Sequence, residues 1–330
     1  MRAPLVLALD GGNTKSVAVL ASLDGEVIAS AVGGCGDIYG AESEGAALAV
    51  LSGTASQALR SAGAKADQVA VTVASLAGAD WPEDFVLYKA ELQRQVGLSG
   101  QLHVVNDGLG PLRLGNRSGT GVAIVVGTGA AVGARGPTGE IWHASFWLPL
   151  SAAGSLGRRG LEAVYRAALG LGPETSLTGR VLELYRATDV EALLHAFTRR
   201  QSPLSALVTK DASRLVLDED AADDPVACAI VDSYAEELSG YAAMAGKKVH
   251  LNGPFPLVLV GGLLGHATSR LPAALAFHVR NRDARAEPVF PEVAPVAGAL
   301  LDALEIALGP PGEQVRSRAL ASVLLRPGTP

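Results

Sequence analysis

The chain has 330 residues, 48% of them hydrophobic, with a formal net charge of -6 and two cysteines. This length supports two lobes with a core each. The acidic balance argues against a general nucleic-acid surface, and no uncharged apolar run reaches the roughly eighteen residues of a membrane span.

Cys35 and Cys228 share neither a C-x-x-C nor a metal-ligand spacing, and the N-terminal apolar run is cut by Asp10 and lacks an A-x-A cleavage site. The expected location is therefore the cytoplasm, with no structural disulfide.

An apolar run from Leu5 ends in Asp10, and Gly11-Gly12-Asn13-Thr14-Lys15 separates it from a second run that starts at Ser16. Glycines between two β-prone runs signal a hairpin, because glycine accepts φ > 0 without a Cβ clash. The same residues fit a phosphate cradle. Small residues let backbone N–H groups approach an anion, while Thr14 adds a hydroxyl and Lys15 a cation. Asp10 at the strand end suits Mg2+ held through water. Taken alone, the stretch is compatible with either reading.

Residues 26–32 read as a third strand, 33–40 as a glycine-rich loop and 42–62 as a helix stopped by Gly63. Then come a strand over 69–74, a loop over 75–80, a helix from Pro82 to about residue 96, and a strand over 101–105 that ends in Asn106-Asp107-Gly108. Three strands in a meander followed by helix, strand, helix, strand predict helices covering a mixed sheet.

The theme restarts at residues 122–132, where Gly127-Thr128-Gly129 separates two strands, which suggests a second, related lobe. Residues 161–245 read mainly as helices, 257–265 as strand and glycine turn, and 294–301 as the opening of a small-residue helix. The tail after Gly309, rich in proline and arginine, is expected to pack loosely.

Gly127-Thr128-Gly129 lacks the G-x-G-x-x-G spacing of a dinucleotide fold, and the chain continues as strand rather than helix, so a second phosphate hairpin fits better. Asp107 alone reads as turn chemistry. Beside two phosphate loops it becomes a candidate general base. Gly261-Gly262 reads either as a strand-to-helix turn or as room for a flat adenine.

Five segments then fall in one order: Asp10 to Ser16, Asn106-Asp107-Gly108, Gly127-Thr128-Gly129, Val260-Gly261-Gly262 and Ala297-Gly298-Ala299. Together they resemble the phosphate, connecting and adenosine motifs of the actin/Hsp70/sugar-kinase superfamily. Within it the chain most resembles the BadF/BadG/BcrA/BcrD-type ATPases and their N-acetylglucosamine kinase branch, through Ser75-Leu76-Ala77-Gly78 and Gly157-Arg158-Arg159.

The resemblance implies an α/β, two-lobed actin-like fold of duplicated ribonuclease H-like lobes, divided as 1–115 and 116–330. It implies Mg2+ and ATP in the cleft and phosphoryl transfer to an amino sugar such as N-acetylglucosamine or glucosamine. Asp107 would be the base and Asp10 the metal carboxylate. Gly11, Gly12, Asn13, Thr14, Lys15, Gly127, Thr128 and Gly129 would hold phosphates, and Gly261 and Gly262 would flank adenine. Asp37, Ser75, Gly78, Asn106 and Asp107 would line the acceptor, a small-molecule sugar. No nucleic-acid or membrane partner is expected, and a homodimer is common in the resembled family.

Two departures stand out. The branch carries Gly-Asp-Glu-Gly-Ser where this chain reads Ser151-Ala152-Ala153-Gly154-Ser155, and its Ser-Asn pair is altered to Cys35-Gly36-Asp37. The alternative expectation is therefore an ATP-hydrolysing activator or regulator of the BadF type that acts on a protein partner, without a sugar acceptor.

Overall fold

Residues 3–148, 152–266 and 269–324 are described by the computed structural model. β1 (Leu5–Gly11) is almost wholly buried because it is the central strand of a sheet covered on both faces, where a continuous apolar run belongs. β2 (Ser16–Ser22) returns antiparallel to it, and β3 (Val27–Gly33) alternates buried and exposed residues as an edge strand does.

α1 (Glu44–Ser61) starts at Ser43, whose hydroxyl accepts from the Ala46 N–H at 3.2 Å. β4 (Val69–Leu76) and β5 (Gln101–Asn106) are parallel to β1 and flank α2 (Pro82–Val96), giving the strand order β3-β2-β1-β4-β5. α2 opens on proline and closes on Gly97 at φ 79, a left-handed conformation suited to glycine.

A second sheet repeats this plan. β6 (Gly121–Val126), β7 (Ala130–Arg135) and β8 (Ile141–His143) form its meander. Helices α3 (Ala152–Ala168), α4 (Leu177–Tyr185), α5 (Val190–Thr198), α6 (Ser213–Ala221) and α7 (Pro225–Lys248) follow. β9 (Phe255–Val260), α8 (Leu271–Arg282) and β10 (Ala286–Val289) complete the order β10-β9-β6-β7-β8. Reading outward from β6, this is the first sheet's order again. The hydrophobic face of α7, with Tyr234, Leu238, Ala242 and Ala245, closes the core beneath it.

The chain does not stay in the second lobe. α9 (Val296–Leu308) and α10 (Glu313–Leu324) pack on the first sheet, where Val296, Leu300 and Leu304 meet Val6, Ala8, Val71 and Val73. A division after residue 115 groups these helices with the second lobe; their packing is with the first. The tail expected to be loose is anchored, since Ala319 and Val323, one helical turn apart, are each 1% exposed. Ion pairs Arg117–Glu313 and Arg318–Asp24 flank this contact.

Between the lobes, Leu109 and Leu112 pack beneath Ala123, Val258 and Val260. Arg113 pairs with Asp302 and Glu305 of α9, and Arg135 of β7 reaches Asp302 at 3.4 Å. Gly298 meets this crossing backbone to backbone, and a Cβ there would run into the Gly110 carbonyl. Gly298→Ala is accordingly expected to cost about 1–3 kcal/mol, read as a lowered midpoint in thermal unfolding. An unchanged midpoint would mean that the crossing tolerates separation.

Candidate active site

β1, β4 and β5 run parallel, so their carboxyl ends share one edge of the sheet. Asp10 pairs in register with Ser75 and Ser75 with Val105, so these share one face, and Asp107 opens the turn directly after β5 at the same edge. Asp10 and Asp107 are half-buried there. Burial, reinforced by Asp10, Asp80 and Asp37, pushes Asp107 up to about 7. Burial lifts Asp10 to about 6 against the opposing pull of Lys15.

The Asp107 turn is held from three sides. Its N–H donates to the Leu76 carbonyl at 3.2 Å, and the Gly108 N–H donates to Asn106 Oδ1 at 3.0 Å. Gly108 also lies against the backbone of Gly133 on β7, so the turn touches the second lobe. Asn106 is itself buried, and its Nδ2 donates to Asp80 Oδ1 at 2.9 Å.

The two predicted phosphate hairpins face each other. Gly12 N–H to Lys15 O at 2.9 Å closes the first, and Gly127 N–H to Gly129 O at 2.8 Å closes the second. Thr14 Oγ1 and Thr128 Oγ1 are 2.7 Å apart across the gap between the lobes. Asn13, Thr14 and Lys15 are exposed, while Gly11 is buried with Leu51 and Leu76 packed against it.

Beside the second hairpin, β9 ends in Gly261 at φ 120, where the Leu263 N–H reaches the Val126 carbonyl at 3.0 Å. Gly262 has open space around its Cα. Clear glycine backbone on both hairpins and on the β9 turn, with one cation at Lys15, fits a nucleoside triphosphate. Among the described residues no group of three or more His, Cys, Asp or Glu is arranged to hold a metal ion. Asp10 at the end of β1 is a carboxylate that fits a Mg2+ ion which keeps most of its waters.

The predicted acceptor residues are less open than the sequence suggests. Asp37 is 6% exposed, and its carboxylate accepts from Tyr39 N–H at 2.9 Å, from Gly40 and from the Asn13 side chain. Gly78, at φ 78, packs directly on Asp37. Ser75 is 1% exposed and lies against Gly110. All three are packed within the first lobe.

Sequence reasoning missed their neighbours: Asp80, hydrogen-bonded to Asn106, and the rings of Tyr39, Trp81 and Phe146. Phe146 meets Tyr39 edge-on at 5.0 Å and stacks on Trp81 at 6.1 Å, joining the lobes. Asp80 was hidden because it reads only as the last residue of the 75–80 loop, and its contact with Asn106 spans 26 residues of sequence. Ala152 and Ala153 are buried at the start of α3, where Ala153 N–H donates to the Thr128 carbonyl at 3.3 Å, and Ser151 lies outside the described residues.

The sequence profile of the BadF/BadG/BcrA/BcrD ATPase family matches residues 7–303. The chain belongs to this family. Among solved structures it is similar to a candidate N-acetylglucosamine kinase from Chromobacterium violaceum, at 24% identity and a TM-score of 0.67, covering 92% of this chain and 99% of that one. A candidate N-acetylglucosamine kinase from Porphyromonas gingivalis follows at 17% identity, TM-score 0.65, with the same coverages of 92% and 99%. A ROK family glucokinase from Streptomyces griseus, in complex with glucose and AMPPNP, gives 15% identity and a TM-score of 0.58 over 92% of this chain and 98% of that one.

These likenesses establish the fold that this ATPase family member shares with sugar kinases: two mixed sheets flanked by helices. No curated protein matches the chain in sequence. No helix among the described residues is long and apolar enough to cross a membrane.

Proposed function

We propose that this protein is an ATP-dependent kinase that transfers the γ-phosphoryl group of ATP to a hydroxyl of an amino sugar such as N-acetylglucosamine or glucosamine. The observation that carries this reading is Asp107, a carboxylate lifted to about 7 and held rigidly beside two facing phosphate hairpins. A base with that affinity accepts a hydroxyl proton near neutral pH.

Phosphoryl transfer needs mainly positioning and charge neutralisation. Gly11 to Lys15 and Gly127 to Gly129 supply N–H groups, hydroxyls and one ammonium to the phosphates, and the Gly261-Gly262 turn leaves backbone for the adenine to lie against. Asp10 would hold Mg2+ through water, and the ion would supply neutralisation of the phosphate charge. Asp107 receives the acceptor proton as the acceptor oxygen bonds to the γ-phosphorus and ADP departs. Closure of the two lobes on the acceptor would exclude water and limit idle hydrolysis.

Buried Ala152 and Ala153 favour a second reading, an ATP-driven regulator acting on a protein partner, since α3 offers a sugar no carboxylate from those positions. ADP release from Mg2+ and ATP across a panel of amino sugars, N-acetyl derivatives and plain hexoses tests the choice. The kinase reading expects turnover with one sugar to exceed the idle rate at least about tenfold. A flat panel with retained ATP binding supports the regulator.

A further inference from the structure

The acceptor side of the cleft carries three carboxylates besides Asp107, and two are already spent. Asp84 accepts from the N–H groups of Asp80 at 3.1 Å and Trp81 at 2.7 Å and from the Tyr39 hydroxyl at 3.0 Å. Asp37 is taken by Tyr39, Gly40 and Asn13. Asp80 differs. It is half-buried, with two donors against three on each of the others: Asn106 Nδ2 at Oδ1, 2.9 Å away, and the Ser145 hydroxyl, which leaves carboxylate lone pairs for a ligand.

Its setting is anionic. Beyond burial and the Ser145 hydroxyl, the groups acting on Asp80 are Asp37 and Asp84, and no cation is among them. Lys15, the cation near this end of the cleft, acts on Asp10. Because Asn106 precedes Asp107 in the chain and holds Asp80 by its side chain, the base and the spare carboxylate are fixed relative to one another by one residue. Trp81 follows Asp80, and Tyr39, Trp81 and Phe146 form an aromatic lip at the mouth. Ring faces there favour both the apolar face of a sugar and a positive charge.

We propose that Asp80 is the specificity-determining residue of the acceptor site, binding the ammonium group of an unacylated amino sugar. This rests on the sugar-kinase reading and narrows it to hexosamines that carry a free amine. A neutral sugar leaves a half-buried carboxylate without a counter-charge. An N-acetyl group offers one N–H and no charge, whereas an ammonium supplies a charge and three donors.

The test compares kcat/KM for glucosamine, N-acetylglucosamine and glucose at pH 6.5, in wild type and Asp80→Asn, together with calorimetric binding of each sugar to protein loaded with Mg2+ and AMPPNP. Asparagine keeps the oxygen that accepts from Asn106, so the local fold is preserved. Wild type is expected to prefer glucosamine. Asp80→Asn is expected to lower that preference, taken as the ratio of glucosamine to glucose kcat/KM, roughly 10- to 150-fold, the size of a hydrogen bond to a charged group. A structural role would lower all sugars alike and leave the ratio intact.

Turnover with N-acetylglucosamine or glucose equal to or above that with glucosamine overturns the proposal and leaves the kinase reading standing. Glucosamine binding that depends on Asp80, with no sugar turned over, supports the proposal and removes the kinase reading. Neither binding nor turnover of any sugar overturns both.

Discussion

Asp107→Asn is expected to lower sugar phosphorylation roughly 10²–10⁴-fold, the usual contribution of a positioned base, with ATP binding retained. The asparagine keeps an oxygen in place and cannot take the proton. The same variant should be more stable than wild type at pH 8 in nucleotide-free buffer. The folded carboxyl titrates at about 7, well above its value of 3.8 when unperturbed. As pH rises between those values, the unfolded chain has released a proton that the folded chain still holds, so wild-type stability falls, and the loss is complete above about 7. Thermal unfolding should therefore show a higher midpoint for the variant at pH 8 and a narrowing gap toward pH 5. Near-normal turnover, or a midpoint gap that ignores pH, would remove Asp107 from its assigned role.

Gly261→Ala is expected to be strongly damaging to the proposed nucleotide site. The residue sits at φ 120, and an added Cβ would lie 2.7 Å from both N and C of Val126 and closer still to its carbonyl oxygen. The neighbours are backbone, so relief requires the β9 turn to move away from the second phosphate hairpin. A cost of about 1–3 kcal/mol is expected from overpacking and strain. ATP affinity should fall at least about tenfold, which is about 1.4 kcal/mol of binding free energy. Calorimetry with AMPPNP checks this; an unchanged dissociation constant would mean that Gly261-Gly262 does not flank the nucleotide.

Much of the fold was legible because its decisive residues act locally. Asp10-Gly11-Gly12 and Gly127-Thr128-Gly129 interrupt apolar runs, and each is a hairpin of matching sheets. Pro82 and Gly97 bracket α2 by backbone chemistry alone. What escaped depends on partners distant in sequence. β10 is four residues with a proline, Ala-Glu-Pro-Val, and becomes a strand only by pairing with β9. α10 buries Ala319 and Val323 against a sheet formed by the opposite end of the chain, and its arginines mask that apolar pair.

The site divides in the same way. The hairpins and the Asp107 turn announce themselves in sequence, whereas the burial of Asp37 by Asn13 and Gly78 and the link from Asp80 to Asn106 follow from tertiary packing. The alanines at 152 and 153, read as a lost grip on the acceptor, direct the proposed acceptor contact to Asp80 in the first lobe.

The central claim is that the hydroxyl of a sugar, rather than water, receives the phosphoryl group. Its most direct test is the stoichiometry of products: ADP and sugar phosphate measured together by mass spectrometry after incubation with Mg2+, ATP and the most stimulating sugar. The account predicts one sugar phosphate for each ADP above the idle rate. ADP with free phosphate and no sugar phosphate would contradict it and assign the cleft to ATP-driven regulation instead.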